Sequence, residues 1–119
     1  SCKAYGVLLI VGPETVARTK DDFFYLKLDD LAVKGKTVGL EIYTVLDTAY
    51  PKDKITHDRM HTLYKSQKFI DATKLCKQLK GKFDGQMDGY YNMWIERCEY
   101  MITQDLPESW SGIFYAQTK

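Results

Sequence analysis

The hydrophobic pattern of this chain changes period once, near residue 47, and that change restricts it to a mixed fold. From Phe24 to Val33 apolar residues mostly alternate: Phe24, Leu26 and Leu28, then Leu31 and Val33 after a slip at Asp29-Asp30. Such a slip reads as a bulge or kink between two strand segments. After Gly35 alternation resumes, with Leu40, Ile42, Thr44 and Leu46 on one face and Glu41, Tyr43 and Val45 on the other. Two alternating runs around a glycine-containing turn predict a β-hairpin.

Past the polar, proline-bearing stretch Asp47 to Lys54 the spacing becomes helical. Ile55, Arg59, Met60, Leu63 and Tyr64 suit one helix, N-capped by Asp53 or Thr56, and Ser66-Gln67-Lys68 breaks it. Phe69, Ala72, Cys76 and Leu79 then predict a second helix that stops at Gly81. Gly81 to Gly89 reads as a loop, and Tyr91, Trp94, Cys98 and Met101 set a third helix before Pro107. Trp110 to Tyr115 reads as a short strand. Ahead of the hairpin, Val7–Val11 predicts a short buried strand, and Pro13 to Arg18 a short helix with proline in its first turn. The expected fold class is α+β. Residues 1–47 form a β-α-β-β unit with a small antiparallel or mixed sheet, and 48–119 form a helical hairpin plus a third helix.

Composition excludes several function classes. A net charge of +1 gives no global attraction to nucleic acid or to an anionic membrane. The apolar run Val7–Val11 is far below the roughly 20 residues that span a bilayer, so no direct membrane contact is expected. No signal peptide is visible. Cys2, Cys76 and Cys98 are an odd number without C-x-x-C spacing, which fits reduced thiols in a cytoplasmic setting better than a disulfide framework. The first residue is Ser1, not an initiator methionine, so a piece of a longer protein is expected.

Gly35-Lys36-Thr37 has the ending of a P-loop, but the motif requires glycine where Asp30 stands, and a strand rather than a helix is expected to follow. His57 and His61 stand at i and i+4, the spacing of a metal-binding pair, with Asp58 where a zincin has glutamate and no third histidine in the chain. They read as two solvent-facing residues near a helix start. Cys76 and Cys98 fall on apolar stripes and read as core. Tyr64, Phe69, Tyr91 and Trp94 read as helix packing, with a groove for a protein partner as the lesser alternative.

The stretch Leu28-Asp29-Asp30-Leu31-Ala32-Val33-Lys34-Gly35-Lys36, followed by Leu40-Glu41-Ile42-Tyr43-Thr44-Val45-Leu46, closely resembles the closing strands of class III nucleotide cyclase catalytic domains. Tyr5-Gly6-Val7-Leu8-Leu9-Ile10-Val11, running on to Thr15, resembles the preceding strand and turn of that family. Leu63-Tyr64, Phe69, Ala72, Asp84-Gly85, Arg97-Cys98 and Trp110-Ser111-Gly112 resemble the TPR-like helical tail of many bacterial cyclases. The resemblance implies the C-terminal end of a ferredoxin-like adenylate or guanylate cyclase domain plus its tail, which in full would convert ATP or GTP to the 3′,5′-cyclic nucleotide and pyrophosphate. It implies that the two metal-binding aspartates and the Asn and Arg that stabilise the transition state lie upstream, so that no catalytic residue is present here and the piece is inactive alone. It further implies magnesium or manganese for the complete enzyme, a dimer assembled through the sheet, and a cytoplasmic location, free or beneath a membrane-anchored receptor. One functional position carries over: Lys34 of the hairpin turn, or less favourably Lys36, would reach the terminal phosphates of the nucleotide. The rival expectation is a non-catalytic interaction module built on the helical hairpin.

Overall fold

A computed structural model of the chain describes residues 2–32 and 39–114, with side chains from residue 4 onward. The elements in order are α1 (Cys2–Tyr5), α2 (Pro13–Thr19), β1 (Phe24–Ala32), β2 (Gly39–Leu46), α3 (Pro51–Lys65), α4 (Phe69–Leu79), a 3-10 turn (Phe83–Gly85) and α5 (Asp88–Ile102). The architecture is α+β, with β1 and β2 forming a two-stranded antiparallel sheet.

The hairpin runs in register from Phe24 opposite Leu46 to Ala32 opposite Gly39, interrupted by one shift between Lys27 and Asp29. This is the bulge expected from the slip in alternation. Its consequence is that both Leu28 and Asp29 are buried, whereas regular alternation would turn one of them outward. Leu26, Leu28, Ile42 and Leu46 face the helices and join Met60, Tyr64, Phe83, Tyr90, Tyr91 and Trp94 in one core. Hairpin and helices are therefore packed through shared side chains. Tyr64 anchors the aromatic part of that core, edge-on to Trp94 (4.4 Å between centroids), Phe69 (5.3 Å) and Trp110 (5.3 Å).

Several local expectations are corrected. Val7–Val11 is not a strand: only Val11 pairs, bridging Tyr43 on the free edge of β2, and Leu8 is 98% exposed. The segment is held instead by the Thr44 hydroxyl, which donates to the Leu9 carbonyl at 2.7 Å. At its start Gly6 has φ +66°, and a Cβ there would lie 3.0 Å from the Gly89 backbone, so the turn out of α1 requires glycine to approach α5. Helix α3 starts earlier than Asp53 or Thr56 would allow as caps. Pro51, with its φ fixed and no N–H to satisfy, opens it, and Asp53 lies in the first turn, where a carboxylate favours the helix dipole.

Two other boundaries follow from specific bonds. Gln67 takes φ +63° in the break between α3 and α4, and Gly81 takes φ +87° after α4. Helix α5 begins at Asp88, ahead of the expected Tyr91, and the Asp88 carboxylate accepts the Gly81 N–H at 2.8 Å, closing the intervening loop. Of the expected C-terminal strand, Trp110 to Tyr115, the described residues form only a parallel bridge of Phe114 to Leu31, and Tyr115 lies outside them.

Candidate functional site

Lys34 and Lys36 fall within residues 33–38, outside the described residues. The described polar contacts gather instead at the bulge of β1, between Lys27 and Asp29. Three consecutive residues there are each held by a different side chain from outside the sheet.

The Lys27 carbonyl accepts a hydrogen bond from His57 Nε2 at 2.6 Å, and the Leu28 carbonyl accepts one from the Tyr90 hydroxyl. The buried Asp29 carboxylate accepts from the Tyr5 hydroxyl at 2.8 Å and lies 2.7 Å from Arg97 Nη1. Its other oxygen accepts the Asp30 N–H at 2.9 Å. Arg97 is sandwiched between rings, its guanidinium carbon 4.9 Å from the centre of Trp94 and 4.1 Å from that of Phe114. Asp29 thus joins the N-terminal segment, the hairpin and α5.

The histidines are corrected as well: His57 is buried, and His61 is mostly covered by the helices and only partly exposed. His57 is fully buried, and because Nε2–H donates to a carbonyl, its Nδ1 is the acceptor for the Tyr91 hydroxyl at 2.7 Å. His61 lies 4.7 Å from the Trp94 ring and, since Tyr90 gives its own proton to Leu28, donates Nε2–H to the Tyr90 oxygen at 3.0 Å. His57 thus uses both ring nitrogens and His61 its Nε2, each imidazole in its neutral form. Burial pushes His57 down to about 4 and holds His61 well below the usual histidine value, the neighbouring His57 adding to the effect.

Burial acts on the ion pair too. It raises the Asp29 carboxyl, while Arg97, the Tyr5 hydroxyl and the Asp30 N–H pull it back. Burial alone would lower Arg97, but the adjacent carboxylate more than offsets this and keeps the guanidinium cationic. Cys76 and Cys98 are buried thiols, pushed up to about 12 and about 11 chiefly by that burial. Among the described residues no group of three His, Cys, Asp or Glu converges to hold a metal ion, and no helix is long and apolar enough to cross a membrane.

Asp29, Arg97 and Tyr5 were not singled out from the sequence, although a signal for two of them exists. Asp29 sits at the slip in the strand pattern, and Arg97 occupies an apolar phase of α5, between Trp94 and Met101. A charge in each of two apolar stripes is the mark of a buried pair. Comparison with protein-family models, curated proteins and solved structures gives no match for this chain.

Proposed function

We propose that this chain is the C-terminal part of a class III nucleotide cyclase, comprising the last hairpin of the catalytic domain and a TPR-like helical tail. The observation that supports it best is the antiparallel register of β1 and β2, which brings Ala32 opposite Gly39, so that residues 33–38, Lys34 and Lys36 among them, join the two strands in sequence. In the reaction, the 3′-hydroxyl oxygen of the nucleoside triphosphate bonds to the α-phosphorus, the bond from that phosphorus to the β-phosphate bridging oxygen breaks, and pyrophosphate leaves. Negative charge grows on the departing group. An ammonium near the β- and γ-phosphates stabilises it, and a point charge on a flexible stem needs only approximate placement by a turn. Lys34 has that role here, with Lys36 as the alternate. Metal binding, hydroxyl activation and base selection fall to residues outside this chain.

The family works as a dimer, and the exposed apolar side chains Leu8, Phe23 and Leu40 support association of two copies. A sedimentation experiment that finds only monomer at high concentration contradicts that part. A second reading has its own observation: exposed Ile70 and Ile102 flank a groove of about 420 Å³ between the start of α4 and the end of α5, which favours a protein-interaction module. The deciding experiment extends the reading frame upstream of Ser1, purifies the longer protein and supplies ATP or GTP. Cyclic nucleotide and pyrophosphate in equal amounts support the cyclase; an extension lacking the metal aspartates and the Asn/Arg helix, with no product, supports the module.

A further inference from the structure

We propose that the outward face of the hairpin, bounded by α2 and α3, binds a small molecule that joins an aromatic ring to a phosphate group. The inference does not rest on the cyclase reading, and it concerns the face of the sheet turned away from the core.

Alternation along the strands builds the floor of this site. Leu26, Leu28 and Ile42 are buried in the core, so Tyr25 and Lys27 of β1 and Tyr43 of β2 turn the other way, with Lys27 directly across from Tyr43. The segment carrying α2 is tied to this floor at two points. The Val11 and Tyr43 backbones exchange hydrogen bonds of 2.8 and 2.9 Å, and Thr19 Oγ1 lies 2.6 Å from the Tyr25 hydroxyl. Helix α3 contributes Lys54 and Asp58. Together these elements enclose a cavity of about 360 Å³, a volume in the range of small-molecule sites.

The lining has two parts, which suit the two halves of the ligand. Phe23, Tyr25 and Tyr43 supply rings whose positions are already fixed. Phe23 lies edge-on to Tyr25 at 6.2 Å, and the Tyr25 and Tyr43 hydroxyls are held by Thr19 and Glu41. Rings held in place before binding lose little freedom when a flat ligand packs on them. Phe23 is 56% exposed, so a ring seated there takes apolar surface out of water.

Charge suits the other half. Lys20, Lys27 and Lys54 line the cavity against one carboxylate, Asp58. Lys27 is already neutralised, by Asp30 at 3.1 Å and Glu41 at 3.3 Å. Lys54 pairs with Asp58 at 2.7 Å, but both side chains are exposed, and such a pair contributes little and is readily exchanged. Lys20 has no ion-pair partner among the described residues. Two ammonium groups on one cavity favour a dianion, whose several oxygens accept from both, over a single carboxylate.

The test is calorimetric titration of this chain with naphthyl phosphate, set beside inorganic phosphate and naphthol, the two halves of the probe. The expected result is one naphthyl phosphate per chain with a Kd below about 1 mM, and at least about tenfold weaker binding of either half alone. Lys20→Ala and Lys54→Ala should each weaken naphthyl phosphate about tenfold and leave the thermal transition in place. If Lys54→Ala lowers that transition, Lys54→Gln, which keeps most of the stem, replaces it with the same expectation. Absence of naphthyl phosphate binding overturns the inference, as does unchanged affinity in either lysine variant. Inorganic phosphate bound as tightly as the probe means scattered surface lysines, and naphthol bound as tightly means an apolar patch; each also overturns it. So does an affinity that falls as protein concentration rises, because a second copy of the chain then covers the face.

Discussion

Mild acid should weaken this fold through His57, whose imidazole is buried and neutral. Its proton affinity in the folded state corresponds to about 4 against 6.5 in the open chain. The unfolded state therefore binds the extra proton first, so stability is full above pH 6.5 and falls as the pH drops toward 4. Between pH 7 and pH 5 the lost stability from this single group is about 2 kcal/mol, and the complete loss below pH 4 approaches about 3 kcal/mol. For a domain of this size 2 kcal/mol lowers the thermal midpoint by roughly 6–10 °C. His61 adds a change of the same sign, since its folded value is also lowered. Asp29 opposes both, because its raised folded value makes stability fall as pH rises.

The quantity to measure is thus a difference. Urea unfolding followed by tryptophan fluorescence, at pH 7 and at pH 5, should be compared for the wild type and His57→Gln. The variant is expected to be weaker at pH 7 but to lose about 2 kcal/mol less on acidification. Lys27, Lys54, Asp58 and Arg97 surround the histidines in both proteins and cancel in the comparison. Equal pH dependence in the two proteins refutes the argument that a neutral, doubly hydrogen-bonded imidazole holds β1 to α3.

Three further outcomes are expected. Arg97→Met leaves the Asp29 carboxylate buried without its cation and should cost about 3–5 kcal/mol in denaturant unfolding, much of it recovered by adding Asp29→Asn. Tyr91→Phe removes the hydroxyl that donates to His57 Nδ1 and should cost about 1–3 kcal/mol, since a buried acceptor is left unpaired. With their thiols raised by burial, Cys76 and Cys98 should resist alkylation at pH 8 in the native state and react once the chain is unfolded, as read by mass spectrometry.

The sequence made the hairpin legible because alternation is a period-two signal with a visible break, and the break at Asp29 proved to be the bulge. The helices were legible for the same kind of reason, their apolar stripes at Phe69 to Leu79 and Tyr91 to Met101 matching α4 and α5. Val7–Val11 misled because a β-rich run needs a partner along its length, and the edge of β2 offers one only at Val11. His57 and His61 misled because polarity alone suggested solvent, whereas Tyr91 and the Lys27 carbonyl take both nitrogens of His57 and the Tyr90 oxygen takes Nε2–H of His61. Bonds between residues 24 to 68 positions apart in sequence leave no local period. For that reason the Asp29–Arg97 pair, 68 positions apart, emerged only from the fold.

The most direct test of the cyclase account is product formation by the upstream-extended protein, with α-labelled ATP and GTP, before and after Lys34→Ala. The account predicts cyclic nucleotide from the unmodified protein and at least a tenfold loss of kcat/KM on removing the lysine, as for other groups placed where charge develops. Unchanged activity in Lys34→Ala contradicts the assignment of that lysine, and absence of cyclic nucleotide from both triphosphates contradicts the account itself.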